Sequence, residues 1–271
     1  MIEPLIWMFK LPEFKKHFIY LAAIGLIFFV LATCSLYLTF FVDFYTNKIS
    51  MIVFAALIIV PILCLTGYFW CLAENIINRQ DCLVANSIFN GKIHMVKNIK
   101  LPNWDFRKFL WRGIASIFAT IILYIPCSFV CLKVFNNLNN LNVSQVMLFC
   151  VLLFIISFIP ALLWNYAKRD SVVAVLNIPK ATYIMGTYTW RYIFNTILFV
   201  LFSVVYASLI YFIAGLLGLD SSIFQLNIDS GQSIIIPIPL MLLFLISYIT
   251  SIYWLFVNAF LLGTLAPTSE A

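Results

Sequence analysis

Seven cysteines, two histidines and ten carboxylates are the side chains of this 271-residue chain best suited to hold a metal or to move protons and electron pairs. Their spacing offers little chemistry. Cys127 and Cys131 lie four apart, on one face of a helix, yet zinc needs further Cys or His ligands. Neither His17 nor His94 is near them in sequence. Cys34, Cys64, Cys71 and Cys150 also fall in apolar stretches, where cysteine serves as a small packing residue. Cys82 stands in a polar connection. Glu74, Asp105 and Asp170, with Asp81, are the acids on the connections that share one side of the chain's topology. Convergence would give acid–base chemistry; a helix cap and interfacial ion pairs would employ them equally well. No phosphate-binding glycine loop, dinucleotide fingerprint, nucleophile elbow or zinc-binding helix motif occurs. The sequence therefore assigns no catalytic, cofactor-binding or metal-ligating residue, and an embedded enzyme ranks behind other readings.

The elements that carry these residues are six long apolar stretches, 18–42, 51–73, 109–133, 144–167, 192–217 and 236–263. An apolar share of 64% with 10% charged residues lies far from the soluble norm of roughly 45–50% and about 25%. Each stretch is long enough for a crossing, which takes about 20 apolar residues. Backbone groups in lipid must pair internally, so runs without strand alternation, such as Ile19 to Phe41, are helices. The expected fold is all-α: one polytopic membrane domain of six transmembrane helices, with amphipathic segments at the interface. Leu31-Ala32-Thr33-Cys34 only faintly resembles a lipoprotein cleavage box, and the long apolar core reads as a retained span.

Fourteen of the sixteen basic residues fall in the N-terminal segment and in the connections after spans two and four; only Lys48 and Lys133 lie elsewhere. By the positive-inside rule that side is cytoplasmic, with both termini inside a cell (cytoplasmic) membrane. Basic residues near an anionic surface are each worth about 1 kcal/mol, so anionic headgroups are the expected partners, and nucleic acid is not. A partner protein or a second copy of the chain remains open. Residues 1–17 mix Ile2, Leu5, Ile6, Trp7 and Phe9 with lysines and read as an interfacial segment.

The 74–108 connection leads to the most structured motif. Asn90-Gly91 reads as a break. In Leu101-Pro102-Asn103-Trp104-Asp105, Pro102 sets an extended approach and Asp105 is placed to cap the next helix. Trp104 and Trp111 are spaced for one helical face as interfacial anchors, with Arg112 beside them. This Leu-Pro-x-Trp-Asp stretch, the following Gly113, Ile125-Pro126, Gly67-Tyr68-Phe69 and the Trp7-to-Lys16 approach resemble an uncharacterised prokaryotic family of multi-pass membrane proteins, the domain of unknown function 4013 type. The resemblance covers the first half in motif and the second half in topology. It departs at Phe106, where family members commonly carry a second acid. It implies fold and topology, with no activity attached.

A weak internal repeat appears. Trp70-to-Glu74 closes span two as Trp164-to-Lys168 closes span four, and Trp111-Arg112 opens span three as Trp190-Arg191 opens span five. Three tandem helical hairpins, 1–73, 74–167 and 168–263, would follow; recurrence of Trp and Arg at any membrane interface is the other explanation. Pro61, Pro126 and Pro160 fall within spans two, three and four and are expected to bend them. No ionisable residue lies near the middle of a span, against a proton-coupled carrier or voltage sensor. The expected role is a permease-like protein or membrane-complex subunit handling an apolar or lipid-like substrate. The alternative is a non-catalytic scaffold that docks a cytoplasmic protein.

Overall fold

The computed structural model describes residues 7–11, 13–38, 44–78, 101–135, 143–216 and 238–265. Among these there is no strand. A 3-10 turn, Trp7–Lys10, precedes α1 (Phe14–Leu38) and α2 (Phe44–Asn78). Then come α3 (Phe106–Phe135) and α4 (Val143–Arg169). A second 3-10 turn, Val172–Leu176, and the short α5 (Ile178–Thr187) lead to α6 (Thr189–Leu216) and α7 (Ile238–Gly263). All but α5 are long and apolar enough to cross a membrane, which gives the six spans. Helices apolar on every side belong in lipid, where no water competes for their surfaces.

The first helix begins at Phe14, four residues before the expected start at 18, so Lys15, Lys16 and His17 are helical. Leu11 and Phe14 are buried against the bundle, which anchors this early start. Asn90-Gly91, Cys82 and the lysines at 92, 97 and 100 lie outside the described residues, as do Lys48's and Lys133's side chains.

Packing centres on α2, which touches α1, α3, α4 and α7. Its tightest partner is α3. A Cβ placed at Gly67 would run into the carbonyl of Phe109, and one at Gly113 into the carbonyl of Leu63. The two glycines thus let backbone meet backbone, the way small residues bring membrane helices together when no hydrophobic drive operates between them. Ser116 and Ala119 of α3 are buried as well. At the other side of the bundle α6 rests chiefly on α7 and shows most of its length outward.

Three alanines recur in matching places. Ala73, Ala167 and Ala259 are all fully buried, each three residues after a buried ring: Trp70, Trp164 and Phe256.

Candidate functional site

Among the described residues Arg112 is the most deeply embedded charge. Its side chain is only 2% exposed, one turn and a half into α3. An isolated guanidinium there would be prohibitive, and the neighbouring helices supply what it requires. The carboxylate of Glu74, at the end of α2, receives a hydrogen bond from Nη1. The carboxylate of Asp170, just past α4, lies 2.8 Å from Nε. Nη1 also approaches Cys71 Sγ at 3.4 Å, and Nη2 donates to the carbonyl of Ala167 at 3.1 Å. The Tyr166 hydroxyl donates back to the carbonyl of Arg112 at 3.3 Å.

Local sequence explains how each partner arrives. Asp170 ends α4 in the left-handed region, φ 51°, a conformation aspartate tolerates, with its N–H donating to Tyr166 O at 2.9 Å. Glu74 sits one turn beyond Trp70, on the face that α3 covers. The guanidinium fork suits this task, since its five donors can meet several acceptors at once. Arg112 therefore bolts α2, α3 and α4 together at one end of the bundle.

Beside it lies an aromatic knot. His17 Nδ1 and the Tyr68 hydroxyl are 3.1 Å apart, and the imidazole stacks on Trp104 with centroids at 5.1 Å. Trp104 also stacks near Tyr68 at 6.0 Å and meets Tyr20 edge-on at 5.3 Å. Asp105 then starts α3: its Oδ1 accepts from the Lys108 N–H at 3.0 Å. The expected cap is present. It also corrects the expected pairing of tryptophans, because a helix capped at Asp105 begins at Phe106 and leaves Trp104 in the extended approach. Trp104 turns inward onto α1 and α2, whereas Trp111 is 73% exposed.

Of the four acids, Glu74 and Asp170 come together on Arg112, Asp105 is committed to the helix start, and Asp81 lies outside the described residues. No group of three or more His, Cys, Asp or Glu suited to a metal occurs among the described residues. Cys34, Cys64, Cys71 and Cys150 are free thiols; the side chains of Cys127 and Cys131 lie outside the described residues.

Two cavities open along the middle of the bundle. The first, about 340 Å³, lies between α1, α2, α6 and α7, bordered by Phe29, Pro61, Tyr206 and Tyr248. Gly25 allows the Tyr248 ring to lie directly against α1. The second, about 240 Å³, lies nearer the Arg112 end, between α2, α3, α4, α6 and α7, bordered by Ser116, Pro160, Asn195 and Asn258. Thr66, Trp254 and Leu255 line both, so these three side chains form the partition between them. No acid, amine, guanidinium or imidazole lines either cavity.

The chain matches no known family model, no curated protein and no solved structure. Its chemistry must be read from its own geometry.

Among the residues singled out from sequence, Trp104, Asp105, Trp111 and Arg112 share the one bundle end, and Pro61 and Pro160 each border a cavity. Trp190 is 85% exposed at the start of α6. The side chains of Pro126 and Arg191 lie outside the described residues. Sequence reading took Cys71 for a packing residue only, and missed Tyr166, Asn195 and Asn258. The asparagines carried a signal: an amide deep in an apolar span is costly unless answered. It also missed α5, although Asn177 caps it through Lys180 N at 3.1 Å and Pro179 stands in its first turn.

Proposed function

We propose that this chain is a permease-like protein or membrane-complex subunit that takes an uncharged, apolar or lipid-like molecule into the space between its helices. The observation that carries the reading is the pair of cavities meeting at Thr66, Trp254 and Leu255, walled almost wholly by carbon and free of charged side chains. Taken together they fall within the roughly 300–1,000 Å³ of ordinary ligand pockets. A charged substrate would find no counter-ion on those walls, and its desolvation would go unanswered.

In this proposal both termini and the Arg112 end face the cytoplasm of the cell membrane, as the distribution of basic residues favours. Lys15, Lys16, Arg107, Lys108 and Arg169 are exposed there, with Trp111 and Trp190 beside them. They are suited to anionic headgroups and to interfacial anchoring. The resemblance to the uncharacterised prokaryotic family belongs with this proposal and adds topology to it, not an activity.

Proteoliposomes holding a fluorescent uncharged lipid analogue test the reading. Reconstituted protein should speed exchange of the analogue between leaflets, and Leu255→Trp, which blocks the partition, should return exchange to the protein-free rate. Exchange no faster than in empty liposomes, with the protein folded, would remove the permease form of the proposal. Exchange unaffected by Leu255→Trp would remove the cavities as its path.

A further inference from the structure

Asn258 is completely buried on α7 and borders the cavity nearer the Arg112 end. Its Nδ2 donates to the carbonyl of Trp254 at 2.9 Å, but its Oδ1 has no partner. Trp254, one turn away on the partition, likewise has a buried indole N–H without one. Thr196, also on this cavity, has a buried hydroxyl without a partner, while several other polar side chains there are occupied within the protein. Ser116 Oγ donates to Gly113 O at 2.6 Å, Thr120 Oγ1 to Ser116 O at 2.7 Å, and Thr66 Oγ1 to Leu63 O at 2.9 Å. Asn195 Nδ2 is held by Leu261 O and Thr264 Oγ1 at 3.3 and 3.2 Å. A buried acceptor left without a partner is costly, and hydrocarbon chains cannot answer it. Among the described residues, the unanswered groups of this cavity are thus the Asn258 acceptor, the Trp254 donor and the Thr196 hydroxyl, which can act as either.

We infer that this cavity binds the hydroxyl end of an uncharged, long-chain lipid alcohol, with Asn258 Oδ1 accepting from the hydroxyl and the chain passing the Trp254 partition into the larger cavity. The inference rests on the proposed function and names its ligand class. A hydroxyl fits because it both donates and accepts, matching an orphaned acceptor beside an orphaned donor. An ether offers no hydrogen to Asn258. A carboxylate or ammonium would bring a charge that nothing on the walls neutralises. The larger cavity, bordered by Phe29, Phe54, Leu57 and Ile58, offers a surface suited to a chain.

The test uses palmityl alcohol carrying a diazirine in its chain, the methyl ether of the same compound, and the parent alkane with the same diazirine. Each is photolysed with the full-length protein in nanodiscs. The alcohol should label residues 254–262 roughly two- to tenfold more than the ether, the factor given by one net hydrogen bond. Asn258→Leu should abolish that preference while labelling by the alkane persists. Equal labelling by alcohol and ether in the wild-type protein would overturn the inference, leaving Asn258 to water and the cavity to any apolar chain. A preference that survives in Asn258→Leu would overturn it as well. Should that variant fail to fold, the wild-type comparison of alcohol with ether decides alone. Labelling of neither cavity by any of the three probes would bring down the proposed function itself.

Discussion

Arg112 and Asn258 are both polar, both buried, and both set among membrane-spanning helices, but their surroundings are opposite. Around Arg112 the protein delivers two carboxylates, a thiol and a carbonyl from two neighbouring helices, α2 and α4 with its end. Around Asn258, a residue bordering a cavity, it delivers one carbonyl from the residue's own helix and gives the buried amide oxygen no partner. A buried polar group whose partners all come from the protein is a fastening. One whose partner is missing beside a cavity is a place for something else. The difference follows from cost: each unanswered polar atom in lipid is expensive, so its persistence calls for an occupant.

The largest effect should come from the fastening. Arg112→Met strands Glu74 and Asp170, and breaking a buried ion pair from one side typically costs about 3–5 kcal/mol. Thermal unfolding in detergent should show a large loss, with Arg112→Lys intermediate because an ammonium cannot fork between the two acids. Glu74→Gln and Asp170→Asn should each cost less, since both carboxylates keep contact with solvent. Wild-type stability in Arg112→Met would erase the contrast with Asn258.

The α2–α3 contact that carries Arg112 to its partners should be nearly as sensitive. Gly67→Ala and Gly113→Ala push a methyl group into opposing backbone. Overpacking of that kind costs about 1–3 kcal/mol. The same unfolding assay would show no shift if the helices could simply move apart.

Asp105→Ala removes a cap that positions the start of α3, a loss of about 0.5–2 kcal/mol. Asp105→Asn and Asp105→Ser, which still accept from Lys108 N–H, should stay close to wild type. If all three were equally silent in unfolding, the cap would not matter to the fastened end.

Asn258→Leu should have the smallest effect, within about 1 kcal/mol of wild type or slightly stabilising. It loses one hydrogen bond to Trp254 O but also removes the bare oxygen. A loss as large as that of Arg112→Met would mean that Asn258 is a fastening too.

How far these two regions were legible in the sequence also differs. Six spans could be read because a crossing needs a length and composition that no soluble helix shares. The Asp105 cap could be read because a cap is local, set by residues three apart. The residues of the Arg112 cluster were visible singly, as an arginine and acids near the interface. That Glu74 and Asp170 both reach Arg112 was not, since the acids stand far from it in the chain and nothing periodic links them. Gly67 and Gly113 were noticed only as parts of a familiar pattern, and their facing carbonyls show why glycine is needed. Asn258 was not legible because an amide carries no charge, and ionisable groups are what mark function within a span. The early start of α1 was hidden by Lys15 and Lys16, whose charge suggests a tail although Leu11 and Phe14 pull the segment into the bundle.

The most direct measurement of the central claim, that the bundle holds an uncharged lipid-like molecule between its helices, is native mass spectrometry of the purified protein. Wild-type protein should keep a bound neutral lipid through detergent exchange. Leu255→Trp, which fills the partition between the cavities, should lose it while anionic lipid on the basic face is retained. A wild-type protein that carries no neutral lipid, or a Leu255→Trp variant that keeps it undiminished, would contradict the account.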